Sequence, residues 1–438
     1  MSRTAVVLGG SIAGLLAARA LAGPYQQVVV VERDELPDSI DAEPRRGVPQ
    51  GRHVHGLLAG GVRAIESLVP GFGDGLVAHG AHRRDPGLHN RFLTPRGRLK
   101  QVVSGESTFG ASRPLIESYL RAQVRQIPQV EFVDRTDIIA PTFRGSGPTA
   151  RVTGVRVQTA GEPERHLEAD LVVDATGRGS RTPRWLSELN LPTPAEESVR
   201  VDLTYTTRAF RLTFAETNDD VAIITVPTPE VPRGGALVVA ENGLGLLTLY
   251  GMFGEHAPTD VEGFLDFAGS LARPDTYDTV KGLEPVGEAA TFRFPGSVRR
   301  RYERLRHFPA GLLVLGDAVC SFNPAYGQGM SVCAIQATVL RRLAAADPAV
   351  SPQRFFRAIS SIVDTPWQIV TGGDLSHPRV EGHRPAALKV INRYLQRLQR
   401  AAVRDVALSL AFHRVTNLVA APPTLMRPDR AVRVLLRG

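Results

Sequence analysis

The stretch from Thr4 to Glu32 constrains the fold more than any other part of this sequence. It contains a short apolar run, a glycine turn, a segment rich in alanine and leucine, and a second run of β-branched residues. This order predicts strand–helix–strand, with the glycine turn at the start of the helix. The backbone N–H groups of such a helix N-terminus can bind the pyrophosphate of a dinucleotide. We therefore predict a Rossmann-like nucleotide-binding unit here.

The residues of the turn support this interpretation and depart from the usual pattern at one position. Gly9 and Gly14 hold the first and last glycine positions of Gly-x-Gly-x-x-Gly, and Glu32 follows Gly14 by 18 residues. An acidic residue at about this distance is placed to bind a ribose hydroxyl. Ser11 replaces the middle glycine, so it must keep a negative φ and turn its hydroxyl aside or toward a phosphate. The alternative is a tight turn in an ordinary α/β protein.

Composition limits the class of protein. The chain has 438 residues with 43% hydrophobic and 22% charged residues, which suits two joined globular domains. Its formal net charge of +8 comes from arginines that we interpret as dispersed, and no nucleic-acid motif accompanies them, so no nucleic-acid partner is expected. No signal segment is recognisable and no apolar run reaches the ~20 residues of a membrane span. We expect a cytoplasmic protein without an integral membrane segment.

Cysteine and histidine residues do not predict a redox or metal centre. Cys320 and Cys333 lack Cys-x-x-Cys spacing, which favours a reducing compartment and argues against a disulfide-relay flavoenzyme. His53 and His55 follow a proline-rich loop, but we identify no third ligand, so we predict no metal site. They are interpreted as loop histidines, with a place near a cofactor as the alternative.

The rest of the chain alternates between strand-like and helical patterns. Residues 88–110 resemble short strands, Ser112 is a plausible cap for a helix from Arg113, and residues 130–133, 151–159 and 166–174 are interpreted as strands. Residues 199–253 alternate with period two, which predicts an antiparallel sheet that walls a substrate cavity.

Two later segments complete the pattern. An apolar strand ends at Gly316-Asp317, and a Pro/Gly loop then leads to a helix that starts at Gly-Gln-Gly, residues 327–329. This supplies a carboxylate for cofactor hydroxyls and a positive helix end for developing negative charge. Beyond residue 347 the chain is predicted to be largely helical, with one amphipathic helix over 388–406. Peripheral membrane contact by the basic face of that helix is a minor alternative.

These motifs together resemble the FAD-dependent group A monooxygenases of the para-hydroxybenzoate hydroxylase fold. The resemblance rests on Gly9-x-x-x-x-Gly14, Glu32, Arg113, Thr176-Gly177 and Gly316-Asp317…Pro324-x-x-Gly-Gln-Gly329-Met330. Three segments look closest to squalene-epoxidase-like bacterial enzymes that epoxidise polyene precursors of polyether antibiotics. These segments are Gly-Val-Pro-Gln-Gly-Arg-His-Val-His, Ala-Thr-Gly-Arg-Gly-Ser and Phe-Asn-Pro-x-Tyr-Gly-Gln-Gly-Met. The resemblance covers residues 5 to about 378.

The resemblance implies an α/β fold in which a Rossmann-like FAD-binding domain is interrupted by an antiparallel β-sheet substrate domain, with a helical C-terminal region. The expected division is 1–80, 111–190 and 296–350 for the FAD-binding parts, 81–110 and 191–295 for the substrate domain, and 351–438 for the helical region. No catalytic nucleophile or base is predicted. The residues expected to bind the cofactor are Gly9, Ser11, Ile12, Ala13, Gly14, Glu32, Arg33, Arg52, Arg113, Val133, Thr176, Gly177, Asp317, Pro324, Gly327, Gly329 and Met330.

The implied chemistry is transfer of one oxygen atom from O2, through a flavin C4a-hydroperoxide, to an electron-rich carbon of an apolar small molecule. Epoxidation of an alkene in a polyketide or terpenoid-like precursor is the first hypothesis. Aromatic hydroxylation, and reduction or dehydrogenation of a prenyl chain, are the alternatives. A halogenase is disfavoured because Trp-x-Trp-x-Ile-Pro is absent, and a flavin-binding sensor because no output module is recognisable.

The route of electrons stays open in the sequence. Residues 176–180 read Thr-Gly-Arg-Gly-Ser where many relatives have Asp-Gly-x-x-Ser, and no second Gly-x-Gly-x-x-Gly unit is present. NAD(P)H is expected as the electron source, either directly or through a separate flavin reductase.

Overall fold

The computed structural model describes residues 3–40 and 43–438. Strands are numbered in chain order. They are β1 Thr4–Leu8, β2 Gln27–Val31, β3 His82–Arg84, β4 Asn90–Thr94, β5 Gly97–Arg98, β6 Thr108–Gly110, β7 Val130–Val133, β8 Thr136–Arg144, β9 Arg151–Thr159, β10 Arg165–Glu168, β11 Leu171–Asp174, β12 Glu196–Arg211, β13 Ala222–Thr225, β14 Arg233–Ala240, β15 Leu244–Gly251, β16 Pro285–Arg300, β17 Leu312–Val314 and β18 Cys320–Ser321.

The α-helices follow the same numbering. They are α1 Ile12–Leu21, α2 Ala59–Leu68, α3 Phe72–Ala78, α4 Pro86–His89, α5 Arg113–Arg125, α6 Thr182–Glu188, α7 Phe214–Thr217, α8 Val261–Gly269, α9 Asp275–Val280, α10 Gly329–Ala346, α11 Pro352–Asp374, α12 Ala386–Ala402, α13 Val406–Thr416 and α14 Pro428–Arg437. None of the helices that the structure describes is both long and apolar enough to cross a bilayer.

A five-stranded parallel sheet forms the centre of the part that carries the glycine turn. Its order is β17-β11-β1-β2-β7, and the pairs are all parallel. Strands β1, β2 and β11 are almost entirely buried, as expected for a parallel sheet covered on both faces. The helices α1 and α10 pack against each other beside this sheet, so the glycine turn and the start of α10 lie close together.

An eight-stranded sheet forms the second part. Its order is β18-β16-β12-β15-β14-β13-β4-β5, and it is antiparallel except for the pair of β13 with β4. The long strands β12 and β16 each carry a bulge or change of register along their pairing. The predicted α/β fold class, with a parallel sheet beside the glycine turn and an antiparallel-rich second sheet, is therefore confirmed, whereas the domain boundaries stay a prediction.

Two element predictions were wrong in detail. Residues 166–174 form two strands, because β10 pairs with β9 in a small three-stranded sheet while β11 pairs with β1. The amphipathic segment 388–406 is interrupted after Ala402, where Asp405 caps the next helix by accepting hydrogen bonds from the N–H groups of Ala407 and Leu408. An N-cap side chain of this kind starts a new helix even where apolar periodicity continues.

Candidate functional site: one cavity with a glycine-rich end and an apolar end

A large cavity lies between the five-stranded sheet, the eight-stranded sheet and the C-terminal helices. Its volume is about 2460 Å³, more than twice the roughly 1,000 Å³ at the upper end for pockets that hold one drug-sized ligand. The wall includes the glycine turn at one end, strands β12 to β16 along one side, and parts of α11, α12 and α13. A cofactor and a second small molecule can therefore be held together.

The glycine turn is built as a nucleotide-binding turn requires. Gly9 has φ +100°, which a residue with a side chain rarely adopts. A Cβ atom on Gly14 would lie 1.7 Å from the carbonyl oxygen of Gly9, so only glycine permits this close approach of α1 to the preceding turn. Ser11, the N-cap residue of α1, makes no side-chain cap hydrogen bond. The first N–H groups of α1 are therefore not capped by this hydroxyl.

Glu32 lies at the end of β2 and is oriented by backbone groups. Its Oε2 accepts a hydrogen bond from the Gly10 N–H at 2.8 Å, and its Oε1 accepts from the N–H groups of Arg33 and Asp34 at 2.9 and 3.2 Å. The side chain is buried but lines the cavity. A carboxylate oxygen has more than one acceptor site, so Glu32 can still accept a hydroxyl hydrogen bond.

A charged network surrounds the turn. Ser11 Oγ donates to Glu117 Oε2 at 2.7 Å and accepts from Arg113 Nη2 at 2.8 Å. Burial alone would raise the pKa of Glu117, but Arg113 and Arg45 outweigh it and hold that pKa below its usual range. Glu117 therefore remains a carboxylate that fixes both arginines.

Arg45 was not among the residues predicted from the sequence, yet it lines the cavity. Its guanidinium pairs with Glu117 at 2.6 Å, Asp34 at 2.7 Å and Glu32 at 3.2 Å. Its Nη2 and Arg113 Nε are buried without a hydrogen-bond partner among the described residues. Two buried donors without partners beside the glycine turn are suited to an anionic group of a bound molecule.

Asp317 follows β17 by three residues and lines the cavity close to the glycine turn, since a Cβ on the neighbouring Gly316 would lie 3.0 Å from the Cβ of Ala13. Burial raises the pKa of Asp317, although Arg113 and Arg178 favour its charged form. The strand β11 ends nearby at Asp174, whose carboxylate accepts hydrogen bonds from the hydroxyls of Thr176 and Ser180, both at 2.6 Å. These hydroxyls therefore hold their own turn together.

The loop before α10 brings glycine-rich backbone to the cavity. Gly327 has φ +65°, and a Cβ there would lie 3.8 Å from the Cα of Gly56. Gln328 Oε1 is buried without a hydrogen-bond partner among the described residues, and Gly329 begins α10. The positive end of an 18-residue helix thus meets the cavity where the two loops approach each other.

The structure brings most of the predicted cofactor residues to one wall. Those that line the cavity are Gly9, Ser11, Ile12, Ala13, Glu32, Arg33, Arg113, Thr176, Gly177, Asp317, Pro324, Gly327, Gly329 and Met330. Gly14 is buried beneath the turn, Arg52 is exposed, and Val133 pairs with Val31 in the sheet, so these three do not line the cavity. Their binding roles stay predictions.

The two histidines of the loop before α2 are neutral groups in the wall. His53 Nδ1 lies 2.7 Å from Thr207 Oγ1, and its ring packs edge-on against Tyr205 at 4.6 Å. Burial lowers the pKa of His53 to about 4 and that of His55 to about 3. No group of three or more metal-ligating side chains is found in the described part of the chain.

The end of the cavity away from the glycine turn is largely apolar. Strands of the eight-stranded sheet and the C-terminal helices supply its aromatic and aliphatic side chains. They include Phe92, Tyr205, Ile224, Tyr250, Met252, Phe292, Trp367, Leu388, Ile391, Leu395 and Phe412.

One carboxyl group in the cavity wall was not predicted. Asp374, the last residue of α11, is 4% exposed, and its Oδ1 accepts hydrogen bonds from Asn323 Nδ2 at 2.9 Å and from the Tyr326 hydroxyl at 3.1 Å. Its Oδ2 has no hydrogen-bond partner among the described residues. Burial raises the pKa of Asp374 to about 7, although the Asn323 and Tyr326 hydrogen bonds lower it. The group can therefore exchange a proton near neutral pH.

Comparison with known proteins identifies the family. A family model described as "FAD binding domain" matches residues 2–346. Protein Rv3254 of Mycobacterium tuberculosis is 35% identical over 389 residues, which cover 85% of this chain and 80% of that protein. The chain belongs to the FAD binding domain family.

Solved structures share the fold. A flavoprotein/dehydrogenase from Cytophaga hutchinsonii has a TM-score of 0.71 at 15% identity, with 100% of this chain and 98% of that chain covered. The p-nitrophenol 4-monooxygenase PnpA from Pseudomonas putida DLL-E4 has a TM-score of 0.62 at 15% identity, with 95% and 98% covered. At these identities the likeness concerns the fold alone.

Proposed function

We propose that the protein is an FAD-dependent monooxygenase that transfers one oxygen atom from O2 to a double bond of an apolar natural-product precursor. The observation that carries the proposal is the continuity of the cavity, in which the glycine turn and an apolar chamber share one continuous space. Bound FAD, once reduced, would supply the activation of O2. The protein would contribute binding, orientation and exclusion of water.

The residues present fit FAD. The N-terminus of α1, Arg113 and Arg45 would hold the pyrophosphate, and Glu32 would accept a hydrogen bond from the adenosine ribose. Asp317 would bind hydroxyl groups of the ribityl chain. The start of α10 at Gly329 would face the flavin ring, where the positive helix end would stabilise negative charge. The buried donors on both arginines, which have no hydrogen-bond partner in the described part of the chain, support this assignment.

The alkene assignment rests on the apolar chamber and on the resemblance to squalene-epoxidase-like polyether epoxidases. Transfer to an alkene requires a dry, shaped space near the flavin more than a protein acid or base. The proposed substrate is therefore a polyketide or terpenoid-like polyene of antibiotic biosynthesis, converted in the cytoplasm. NAD(P)H would supply electrons, directly or through a flavin reductase.

Aromatic hydroxylation is the second candidate because of Asp374. A carboxyl group with a pKa near 7, linked to Tyr326, could accept the proton of a phenol and raise the electron density of its ring. The same group would have no necessary part in an epoxidation. Asp374 is therefore the residue that separates the two reactions.

The test is turnover of the reduced holoenzyme with O2 labelled with heavy oxygen, using a polyene and a phenol in parallel. One labelled oxygen atom in an epoxide of the polyene supports the first proposal. Labelled oxygen only in a hydroxylated phenol, lost on Asp374→Asn, supports the second. A product with a saturated or newly formed double bond and no label would identify a prenyl-chain reductase or dehydrogenase and overturn both.

A further inference from the structure

The net charge of the protein is concentrated in the C-terminal helices. Residues 386–438 contain ten lysine and arginine residues but only Asp405 and Asp429 as acids, a net charge of +8. This equals the formal net charge of the whole chain, so residues 1–385 carry 42 cations and 42 acids. The interpretation of the arginines as dispersed was therefore incomplete, because the acids that balance them are missing from one region.

Many of these cations are free to meet an external anion. Lys389, Arg393, Arg397 and Arg400 repeat at steps of four and three along α12, which places them on one side of that helix. All four are exposed, and they form no ion pair with a carboxylate in the described residues. Side chains that only solubilised the surface would more often be interspersed with acids.

Exposed apolar side chains accompany this charge. Val432, Leu435 and Leu436 of α14 are 54%, 69% and 79% exposed, and their spacing of three and four residues places them on one face. On another side of the same helix, Val434 is fully buried in a cluster with Leu398 of α12. The helix therefore packs on the body by one side and presents bare aliphatic side chains on another.

The cavity reaches the surface in the same region. Met426, just before α14, is 50% exposed, and Ile391 of α12 is 38% exposed, yet both also line the cavity. They therefore mark a rim between the apolar chamber and the outside. The helices α12 and α14 contact each other, and we call the exposed cations of α12 together with the exposed face of α14 the C-terminal surface.

We propose that the C-terminal surface binds an anionic lipid bilayer at its interface. The exposed leucine side chains of α14, and the cations of the adjoining α12 that form no ion pair among the described residues, match a surface that offers acyl chains beneath anionic head groups. Two copies of this chain placed face to face would oppose two surfaces of high positive charge, which disfavours a symmetric dimer through the same region. One extension rests on the proposed function: an apolar substrate would pass from the bilayer through the rim at Met426 and Ile391.

The experiment is co-sedimentation of the full-length holoprotein with vesicles, independent of any turnover. We expect binding to vesicles that contain phosphatidylglycerol, weaker binding at high salt, and little binding to pure phosphatidylcholine. The double variant Leu435→Ser/Leu436→Ser should bind at least about tenfold more weakly, because its apolar contact with the acyl region is reduced. Both positions are exposed, so thermal unfolding and flavin content should be unchanged.

The matched control is Val103→Ser, a 65% exposed aliphatic residue outside the C-terminal helices. It should bind vesicles like the unmodified protein. Absence of binding to anionic vesicles would overturn the proposal, as would equal loss in the control. A dimer in solution that the double variant converts to a monomer would instead assign the surface to a second copy. None of these outcomes changes the oxygen-label test of the proposed function.

Discussion

Gly14 is the residue at which the nucleotide turn tolerates least change. A methyl group there would lie 1.7 Å from the Gly9 carbonyl oxygen, so Gly14→Ala must displace α1 from β1. We expect the free energy of unfolding to fall by roughly 3 kcal/mol, the upper part of the range for overpacked sites. Urea unfolding measures this change. Gly282→Ala, at an exposed site with open space, should leave the midpoint unchanged, and equal effects of both variants would contradict the steric explanation.

Asp374 predicts a specific pH dependence of stability. Its pKa is about 7 in the folded protein and 3.8 in its ordinary state, so between these values the native protein holds a proton that the unfolded chain releases. The contribution of Asp374 to stability must therefore fall as pH rises from about 4 to 7, by at most about 4 kcal/mol. Asp374→Asn keeps an oxygen for the Asn323 and Tyr326 hydrogen bonds and should remove this contribution, so the stability of the variant relative to the unmodified protein should rise with pH over this range.

The measurement for Asp374 is the thermal unfolding midpoint from pH 4 to 8, compared between the unmodified protein and the variant. Asp266→Asn is the matched control, because Asp266 is exposed and has no ion pair among the described residues. It should reproduce the unmodified curve. Parallel curves for Asp374→Asn and the unmodified protein would show that Asp374 titrates normally.

Individual residues were predictable where the motif itself is local. Gly9, Ser11 and Glu32 lie within one strand–helix–strand unit, so their spacing along the chain already encodes their proximity. Arg45 and Asp374 were missed because nothing in their neighbouring sequence marks them. Arg45 is identified only by its ion pairs in the folded protein, of which the one with Glu117 spans the longest separation in sequence, and Asp374 is identified by its contact with Tyr326.

Helices and strands could be predicted where the apolar periodicity agrees with the capping and turn residues at their ends. The strand predicted over 130–133 is β7, and Ser112 caps α5 by accepting a hydrogen bond from the Leu115 N–H. The end of the helix predicted over 388–406 was wrong, because Asp405 caps a new helix and the apolar spacing does not show this cap. Pairing partners could not be predicted, since the parallel pair of β4 and β13 joins segments more than 120 residues apart.

The N-cap residue Asp405 also links α13 to α14. Asp405 accepts hydrogen bonds from two N–H groups of α13 and from Arg433 and Arg437 of α14, at 3.2 and 2.7 Å. Asp405→Ala should lower stability by about 1 kcal/mol through the lost cap and loosen α14 as well. Asp405→Asn keeps a cap oxygen without the charge, so it should affect α14 alone.

Amide hydrogen exchange separates these two effects. Faster exchange is expected in α14 for both variants and at the start of α13 only for Asp405→Ala. Unchanged exchange in α14 would mean that Val434, rather than the ion pairs, holds this helix in place.

At the scale of the whole molecule, the site is formed by parts that the sequence presents separately. The glycine turn of α1, the loop before α10 and the end of α11 all reach the cavity, although they begin near residues 9, 324 and 374. Sequence patterns predicted the first two because each carries its own motif. The contribution of the C-terminal helices to the cavity wall could not be predicted, because it depends on how those helices pack against the eight-stranded sheet.

This arrangement predicts that FAD stabilises the entire fold. A ligand that binds only the native protein adds about 2.7 kcal/mol at a concentration of 100 Kd, so FAD should raise the unfolding midpoint of the flavin-free protein. FMN, which lacks the adenosine half, should raise it less because it cannot use Glu32 and the glycine turn together.

Asp317→Ala should reduce the stabilisation by FAD, since one buried carboxyl group at the cavity wall is lost. Asp266→Ala, at an exposed position, should retain the full effect. Thermal unfolding with and without each flavin, together with the flavin-to-protein ratio after purification, measures these differences. Equal FAD retention by Asp317→Ala and the unmodified protein would show that Asp317 does not bind FAD. Equal stabilisation by FAD and FMN would show that the glycine turn does not contribute to FAD binding.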